Sequence, residues 1–579
     1  IVAVKGLGGF QLWVDAASEN VVQRLRDRKR RPEKPFAVLF PSIEAVRSYC
    51  LLSSEEEALL RSPQAPIVLA LKRRDASLAD AVAPGNPYLG VMLPASPLHH
   101  LLMASIGRPM VATSGNRSEE PIVTDEREAV ARLKGIADAL LVHDRPIARP
   151  VDDSVALVMS KRFKAGGTEQ AENLPAEAVI LRRARGYAPL AIRWRDNATD
   201  GGAQGPILAV GGHLKNTVAL LMGNRVMLSQ HLGDLSTMES DRAFRQAVED
   251  LQRLLDVKPQ AIACDLHPDY RSTSFARTLS EALSVPLVPV QHHHAHVASC
   301  MAEHKLDGEV LGVAWDGAGY GTDGQVWGGE CLIASYRQFS RFASLKPFRL
   351  LGGEAAMKEP SRSAAAVLWE LMREKMLVHD LPSWNVPHNQ REKFAGVLKS
   401  GIALPWTTSM GRLFDAVASL TGLCRETSFE GQVAMAVQFA AEQEAGEGGV
   451  GVEGYPMDLV PRNSPDTKWM IDWRPMVSAM LDDLRRGISP ELIAARFHMG
   501  LAVATVRVAQ AAGLPRVALT GGCFQNRLLL SLVRRQLEEA GFTVYSHALV
   551  PPNDGGLSLG QAVAAACSVS REASCASRS

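Results

Sequence analysis

Cysteine is scarce in this chain, and no two cysteines stand in a CxxC spacing. The 579 residues include eight cysteines. A zinc ribbon is therefore excluded, and a disulfide framework is not expected in so dilute a set. This usage fits a reducing compartment, and we expect a cytoplasmic protein.

Long apolar runs and a strong net charge are also missing. No run of 18 or more apolar residues and no secretory leader pattern is present, so no membrane-spanning helix is expected. The formal net charge is only +1, which argues against nucleic acid as the bulk substrate. Hydrophobic residues make up 46% and charged residues 22%, as in an ordinary globular protein.

Apolar strands alternate with amphipathic helices along the chain, and this alternation predicts an α/β protein. The chain begins on Ile1 inside a predicted strand, so we expect it to be a piece of a longer protein. The predicted segments are a first domain at 1–190, a Gly-rich linker at 191–206, a second domain at 207–570, a surface insertion within it at 443–468, and a tail at 571–579.

Three glycine turns directly follow apolar strands in the second domain, at Gly211–Gly212, Gly317–Gly321 and Gly521–Gly522. One such turn by itself is more often only a tight connection. Three of them in a duplicated α/β pattern predict a two-lobed, actin/Hsp70-like ATPase domain, in which main-chain N–H groups of the turns hold phosphates.

Four histidines stand within five residues in the run QHHHAH. In a helix, His292 and His296 lie at i and i+4 and project from one face, so that two imidazoles can bind one divalent ion. Asp316 and Asp554 follow predicted strands beside glycine turns and are the candidates for the other ligands. Two imidazoles and two carboxylates suit Zn²⁺ or Fe²⁺. The alternative is a surface cluster of histidines.

A dense basic run spans residues 24–34. Taken alone, such a run indicates a solvated helix face, a nucleic-acid patch or a local anion site.

The run VQHHHAHVASCMAEH resembles the C-terminal domain of the HypF family, as do WDGAGYGTDGQVWGGE, GGHLKNTVAL, TGGCFQNRLL and PPNDGGLSLGQA. That domain is similar to the TsaD tRNA-modification proteins, which have an actin/Hsp70-like fold. The segments AVKGLGGFQL, LRDRKRRPEKPFAV, VATSGNRSEEPI, RPVDDSV and LRRARGYAP resemble the YrdC-like domain of the same family. The motifs cover nearly the whole chain in the same order. The acylphosphatase-like domain and zinc-finger modules of the family are not in this sequence.

The resemblance implies an ATP-dependent carbamoyltransferase. HypF proteins use carbamoyl phosphate and ATP with Mg²⁺, and they form a carbamoyl-adenylate while ATP is cleaved to AMP and pyrophosphate. They then pass the carbamoyl group to the C-terminal cysteine of the partner protein HypE. The resulting thiocarboxamide becomes the cyanide ligand of iron in nickel–iron hydrogenases.

The resemblance also suggests site residues in the YrdC-like domain, where cations and hydrogen-bond donors would stabilise the charge of departing pyrophosphate. The residues assigned to catalysis are Lys5, Lys29, Arg31, Ser114 and Asn116. The further anion-binding candidates are Lys34, Arg149, Arg183 and Arg185. The family's Lys-x-Arg-Pro element matches Lys29–Pro32 with its spacing to the next proline shortened by about one residue, so Arg28 is the alternative to Lys29.

In the TsaD-like domain, the implied nucleotide site consists of two phosphate turns and a nucleoside contact. The residues of the turns are Gly211, Gly212, Asn216, Gly521, Gly522 and Asn526. The nucleoside candidates are Asp415, Glu430 and Gly431.

Three other functions stay open at this point. One is an O-carbamoyltransferase acting on a small-molecule hydroxyl, and another is tRNA threonylcarbamoylation by a fused YrdC–TsaD pair. A binding module without ATP turnover is the third. The acceptor that becomes labelled from carbamoyl phosphate distinguishes among them.

Overall fold

The computed structural model describes residues 1–117, 120–159, 178–196, 205–378, 381, 383–400, 402, 404–444, 451–464 and 466–576. Much of the predicted linker and the end of the predicted tail lie outside these residues. The chain forms two compact units. Among the described residues, the first unit consists of those within 1–160, 176–288 and 548–562, and the second consists of those within 289–547 and 563–576.

Up to residue 290, short strands alternate with helices, as the sequence predicts. The strands are β1 Val2–Lys5, β2 Phe10–Asp15, β3 Ala37–Leu39, β4 Cys50–Leu51, β5 Ile67–Lys72, β6 Tyr88–Met92, β7 Met110–Ser114, β8 Ala139–Leu141, β9 Val155–Val158, β10 Ala178–Arg182, β11 Ala191–Arg193, β12 Ile207–Ala209, β13 Ala219–Met222, β14 Arg225–Leu228, β15 Ala261–Asp265 and β16 Leu287–Val290. The helices are α1 Glu19–Lys29, α2 Ile43–Tyr49, α3 Ser54–Leu60, α4 Pro97–Ile106, α5 Glu126–Arg132, α6 Met238–Leu255 and α7 Arg271–Leu283.

From residue 291 onward most helices have 12 or more residues, and only α9 is short. The helices are α8 His292–Glu303, α9 Ala355–Lys358, α10 Pro360–Met372, α11 His388–Lys399, α12 Met410–Thr421, α13 Gln432–Glu444, α14 Arg474–Arg485, α15 Pro490–Ala512, α16 Arg527–Glu539 and α17 Leu557–Ala576. The strands are β17 Val310–Tyr320, β18 Val326–Ala334, β19 Phe339–Leu345, β20 Phe348–Arg349, β21 Trp406–Thr407, β22 Asp458–Ser464, β23 Thr467–Asp472, β24 Arg516–Thr520 and β25 Thr543–Ser546.

The N-terminal sheet has the strand order β10-β9-β5-β6-β3-β7-β2-β1-β8, with β4 beside β5. Helix α1 packs on it through Val22 and Leu25, which are fully buried. The helix ends where Arg30 adopts a left-handed conformation, with φ of 52°. This conformation stops the helix and turns the next residues back toward the sheet.

Two further sheets repeat one topology. The first has the order β11-β14-β13-β12-β15-β16, and the second has the order β22-β23-β19-β18-β17-β24-β25. In the first of these, β12 pairs antiparallel with β13 and parallel with β15, and in the second, β17 pairs antiparallel with β18 and parallel with β24. This repeated order agrees with the predicted actin/Hsp70-like duplication, and the predicted α/β class is confirmed.

Helix α8 carries the four histidines of the QHHHAH run, as predicted. Its first turn is capped by Gln291, whose side-chain oxygen accepts the N–H of His294 at 2.9 Å. Every side chain from His292 to Ala302 is buried. The alternative of a surface cluster of histidines is therefore wrong.

Strand β22 and helix α15 bear on two of the sequence expectations. The predicted insertion at 443–468 contains β22, which pairs antiparallel with β23 and extends the second sheet. Helix α15 is long and apolar enough to cross a membrane by length and composition, although no such helix was expected. Buried residues make up 67% of its most apolar window, and it packs against α13 and α16, as a core helix does.

Candidate active site

Lys29 lies at the centre of a polar cluster in the first unit. Its ammonium group, at the end of α1, donates hydrogen bonds to the main-chain oxygens of Ser114 and Asn116 at 2.6 and 2.9 Å. It also donates to the Asn116 side-chain oxygen at 2.7 Å, which accepts from the Ser114 hydroxyl at 2.8 Å. The structure thus brings together three predicted catalytic residues at the end of β7.

Arg31 contributes a second cation to this region. Its guanidinium donates to the main-chain oxygens of Lys34, at 3.1 Å, and of Pro35. It lies 3.4 Å from the Thr113 hydroxyl, next to Ser114 in sequence. The Lys34 side chain is exposed at the edge of the same loop. A rigid loop therefore presents Arg31 beside the Lys29 cluster.

Arg26 holds this loop, and the sequence analysis did not assign it a role. It is 2% exposed and donates to the main-chain oxygens of Arg31 and Lys34 at 2.9 and 3.2 Å. Its guanidinium also covers the Phe36 ring at 4.5 Å, and Arg31 covers the same ring at 4.9 Å. The sequence could have indicated that Arg26 belongs with this site, because Arg26 and Lys29 stand at i and i+3 and are therefore neighbours on one face of the helix.

Burial and mutual repulsion perturb both cations. Burial and the neighbouring Arg31 lower the pKa of Lys29 to about 7, against the opposing effect of Asp152. Burial, together with Arg182 and Arg26, lowers the pKa of Arg31 to about 9. Cations held together out of water are stabilised by an anion, so this arrangement is suited to bind phosphate or carbamate oxygens.

Lys5 has different contacts. Its side chain is 1% exposed, and its ammonium forms an ion pair with Glu126 and donates to the main-chain oxygen of His143 at 2.9 Å. These contacts are separate from those of Lys29. The catalytic role of Lys5 stays a prediction.

The three predicted arginines of the first domain also have partners within the protein. Arg185 forms an ion pair with Asp153 at 2.8 Å, and Arg149 approaches Asp250 at 3.7 Å. Arg183 is 3% exposed and donates to a main-chain oxygen at 2.8 Å. The contacts of Arg185 and Arg183 order the end of the YrdC-like segment, and anion binding by the three arginines stays a prediction.

The first glycine turn is tightly constrained within the first unit. Gly211 has φ of +70°, and its N–H donates to Gln561 at 2.8 Å. The buried Asn216 side chain donates to the Gly212 oxygen at 2.6 Å and so closes the turn. A Cβ at Gly212 would lie 3.5 Å from a carboxylate oxygen of Asp554. The main chain of the turn therefore lies close to Asp554, which the sequence analysis predicts to be a metal ligand.

The second glycine turn lies at the end of β24 in the second unit. Gly521 has φ of +94°, and a Cβ there would lie 2.2 Å from the main-chain oxygen of Trp315, so only glycine fits. The N–H of Gly522 donates to Asp316 at 3.1 Å. Asn526 caps α16 by accepting the N–H of Leu529 at 3.0 Å.

His292 and His296 both face Asp316, as expected for residues at i and i+4. Their Nε2 atoms lie 3.4 and 3.3 Å from the same carboxylate oxygen, and the two rings are 5.0 Å apart. Burial opposes charge on Asp316, but contacts with His292 and His296 outweigh it and hold the pKa of the carboxyl well below its usual range. Both imidazoles are at most 1% exposed.

The spacing of these three groups fits a metal ion. A charge-assisted N–H···O bond is usually about 2.7–2.9 Å long, and the observed separations are longer. Two ligand atoms about 2.05 Å from a tetrahedral ion lie about 3.3 Å apart. His292, His296 and Asp316 could therefore hold a divalent ion. Asp554 belongs to the other compact unit, and its role as a ligand stays a prediction.

A buried chain of polar side chains lies behind this cluster, and sequence reasoning missed it. Glu303, at the end of α8, contacts Nδ1 of His547 at 3.1 Å. The other ring nitrogen of His547 lies 2.8 Å from the Thr520 hydroxyl, which also contacts the main-chain oxygen of His296 at 3.2 Å. We call Glu303, His547 and Thr520 the supporting triad. The one hint of this triad in the sequence is the position of His547, which comes shortly before the PPNDGG motif.

Asp415 is buried in α12 beside Arg412, which the sequence analysis did not single out. Burial raises the pKa of Asp415 to about 6, although Arg412 lies 2.5 Å away and opposes this. Glu430 is exposed, and Gly431, with φ of +82°, precedes α13. A nucleoside contact for Asp415, Glu430 and Gly431 stays a prediction.

Comparison with known families agrees with both parts of this architecture. Residues 1–165 match a family described as Telomere recombination, whose name includes YrdC. Residues 202–303 match the HypF Kae1-like domain, and residues 312–561 match the second subdomain of the carbamoyltransferase Kae1-like domain. Fold and site thus define the class as a carbamoyltransferase that joins a YrdC-type domain to a Kae1-like domain.

Individual relatives are similar over almost the whole chain. The carbamoyltransferase HypF of Synechocystis sp. is 41% identical over 97% of this chain and 71% of its own length. A full-length HypF solved in a phosphate- and nucleotide-bound form is 39% identical, with a TM-score of 0.87 over 98% of this chain and 84% of its own. HypF of T. kodakarensis is 33% identical, with a TM-score of 0.86 over 98% and 72%. The chain belongs to the HypF carbamoyltransferase family.

Proposed function

We propose that this carbamoyltransferase forms carbamoyl-adenylate in its YrdC-like domain and transfers the carbamoyl group in its TsaD-like domain. The acceptor would be the C-terminal cysteine of a HypE-type protein, for synthesis of the cyanide ligand of nickel–iron hydrogenases. ATP with Mg²⁺ and carbamoyl phosphate are the proposed co-substrates. The cluster of the buried Lys29 with the partly buried Arg31, Ser114 and Asn116 carries the first half of this proposal.

In the first step, water hydrolyses carbamoyl phosphate to carbamate and phosphate, and a carbamate oxygen then attacks the α-phosphorus of ATP. The bond to the β-phosphate breaks and pyrophosphate leaves. Lys29 and Arg31 would bind the anions and stabilise the developing negative charge. Because burial and Arg31 lower the pKa of Lys29 to about 7, an arriving anion would also favour its protonated form.

In the second step, the acceptor sulfur attacks the carbamoyl carbon, AMP leaves, and the thiol proton is lost. The glycine turns at Gly211–Gly212 and Gly521–Gly522 would bind phosphate oxygens through main-chain N–H groups. A Zn²⁺ or Fe²⁺ ion held by His292, His296 and Asp316 would bind nucleotide phosphate or polarise the carbamoyl carbonyl. His292 and His296 would be held in place by α8, and Asp316 by the N–H of Gly522 at 3.1 Å.

The division into domains is part of this proposal. We propose a boundary between residues 190 and 207, with the reaction running in the cytoplasm. The structure records no disulfide bond among the seven cysteines whose side chains it describes, which suits a reducing compartment. Limited proteolysis is expected to cut first at this boundary or within 443–468. First cuts inside 210–330 would contradict the division.

Exchange of labelled pyrophosphate into ATP tests the adenylation step. The whole protein should catalyse the exchange with carbamoyl phosphate, and the present chain with carbamate supplied directly. Lys29→Ala and Arg31→Ala are expected to suppress it by two to three orders of magnitude, by analogy with loss of an oxyanion donor, about 3–4 kcal/mol. Arg24→Ala is the matched control, since Arg24 is exposed on the same helix.

Unchanged exchange in both variants, or release of ADP and phosphate instead of AMP and pyrophosphate, would refute the proposed first step. Transfer of label from carbamoyl phosphate to a small hydroxylated molecule or to tRNA, with none on a HypE-type protein, would refute the acceptor.

A further inference from the structure

His99 is a buried polar side chain in the first unit that no step described above uses. It lies in the first turn of α4 and is 4% exposed. Among the residues that the structure describes, neither of its two ring nitrogens has a hydrogen-bond partner. A buried polar atom without a partner destabilises a protein, and a ligand or an ordered water usually accounts for it.

The ring of His99 lies on the face of the sheet that carries Ser114. It packs on the Trp13 ring, with 5.4 Å between the ring centres, and the Trp13 indole N–H donates to the Gln11 side-chain oxygen at 3.2 Å. Gln11 is directly opposite Ser114 where β2 pairs with β7. Because alternate side chains of a strand share a face, Trp13, Gln11 and Ser114 all project toward the side on which His99 packs.

The ring nitrogen Nε2 of His99 lies at the edge of the sheet that carries the proposed adenylation site. A Cβ on Gly6 would be 3.9 Å from this nitrogen. Gly6 follows the end of β1, and Ser114 ends β7. Both strands pair antiparallel with β2, so their ends lie at the same edge. Leu7, the residue after Gly6, is 49% exposed, so Nε2 lies just beneath the surface there.

The charged groups near His99 are already paired with each other. Arg185 forms an ion pair with Asp153 at 2.8 Å, and Asp153 also accepts a hydrogen bond from Gln11 at 2.9 Å. Burial lowers the pKa of His99 against the opposing effect of Asp153, and Arg185 lowers it further. The imidazole is therefore neutral, so that one ring nitrogen carries a proton and the other accepts a hydrogen bond.

Carbamate has two ends that need different partners. Lys29 and Arg31 suit its carboxylate, but the steps above leave its amino group without a partner. A proton added to the carbamate nitrogen releases ammonia and carbon dioxide, so the amino group is best held by a group that accepts a hydrogen bond and supplies no proton. A neutral imidazole that is shielded from water meets this requirement.

We propose that His99 binds the amino group of carbamate, with Nε2 accepting one of its N–H bonds while the carboxylate is directed toward Ser114 and Lys29. This contact makes His99 the residue that selects carbamate over carboxylates without an amino group. The inference rests on the proposed adenylation of carbamate.

The test uses acetate, which keeps the carboxylate of carbamate but has a methyl group in place of the amino group. Exchange of labelled pyrophosphate gives the KM for carbamate and the inhibition constant of acetate as its competitor, with bicarbonate free of ammonium as the blank. The variants are His99→Phe, which keeps a ring beside Trp13 without an acceptor, and His99→Gln, which keeps an acceptor oxygen. His100→Phe is the control, since His100 is exposed on the same helix.

We expect His99→Phe to raise the KM for carbamate about 10-fold, as for the loss of one buried hydrogen bond, without raising the inhibition constant of acetate. His99→Gln should keep most of the affinity for carbamate. The KM for ATP should stay the same in both variants. Since phenylalanine removes polar atoms that have no partner, the ligand-free His99→Phe chain should unfold at no lower temperature than the parent.

An unchanged KM for carbamate in His99→Phe would overturn the inference and would leave an ordered water as the partner of the ring. An equal rise in the KM for carbamate and in the inhibition constant of acetate would overturn it too, and so would an equal loss in His99→Gln. The absence of carbamate-dependent exchange with the parent chain would instead refute the proposed first step and the inference with it.

Discussion

The supporting triad is expected to stabilise the second unit, and His547→Phe tests this. The side chains of Glu303 and His547 are buried, and the imidazole bridges a carboxylate and the Thr520 hydroxyl at 3.1 and 2.8 Å. Phenylalanine keeps the ring volume but removes both contacts. It leaves a buried carboxylate without its imidazole, and it leaves the Thr520 hydroxyl only the main-chain oxygen of His296, at 3.2 Å, of its two contacts.

The magnitude follows from these two losses. Removing one partner of a buried charged pair costs about 3–5 kcal/mol, and a lost hydrogen bond to a neutral group costs about 1 kcal/mol. Since burial lowers the pKa of His547, the pair is not a full ion pair, and we expect about 2–4 kcal/mol. Glu303→Gln keeps an acceptor for the ring N–H and should cost about 1 kcal/mol.

Amide hydrogen exchange at β24 and β25 is the appropriate measurement, because a chain with two compact units need not unfold in one transition. His304→Phe is the matched control. His304 lies beside the same strand end, where its Nε2 is 2.7 Å from the main-chain oxygen of Ser546 and its ring is 5.3 Å from the ring of Tyr545. The reasoning is refuted if His547→Phe lowers protection no more than His304→Phe does.

Three further predictions follow from single groups. His292→Ala is expected to lose the divalent ion and carbamoyl transfer but to keep pyrophosphate exchange; full metal content in the purified variant, or equal loss of both activities, would contradict the ligand assignment. Burial lowers the pKa of His498 to about 4, so the unfolded chain binds a proton that the folded chain does not, and stability should fall by up to about 3 kcal/mol as the pH drops from about 6.5 toward 4. In His498→Gln, the free energy of unfolding should depend less on pH between about 6.5 and 4, which unfolding measured at several pH values would show. An unchanged pH dependence would contradict the role given to His498. In thermal unfolding, Gly521→Ala should be more destabilising than Gly513→Ala. Both glycines have positive φ, but only at Gly521 would a Cβ meet a main-chain oxygen. The difference between the two losses of stability should be about 1–3 kcal/mol. Equal costs would show that this contact relaxes.

Features that depend on neighbours in the chain could be predicted from the sequence. The alternation of strands and helices gave the α/β class, and the glycine turns after apolar strands gave the actin/Hsp70-like domain. The spacing of His292 and His296 predicted one shared helical face, because a helix brings i and i+4 together whatever it packs against. The family motifs identified the reaction class.

Contacts between distant segments could not be predicted in this way. Nothing in the spacing of Glu303, Thr520 and His547 indicates that they meet, since three separate elements bring them together. Arg412 next to Asp415 was visible in the sequence, but the burial that raises the pKa of Asp415 was not.

The sequence by itself determined which residue types are present and which local turns and helices carry them. Only the tertiary structure decided which of these groups lose water and which charges become neighbours. Lys29 shows the difference, since its basic run also fits a solvated helix face. Its pKa falls to about 7 only because the fold buries the ammonium and brings Arg31 beside it. Desolvation and charge proximity depend on all the packed segments together, and no single stretch of sequence contains them.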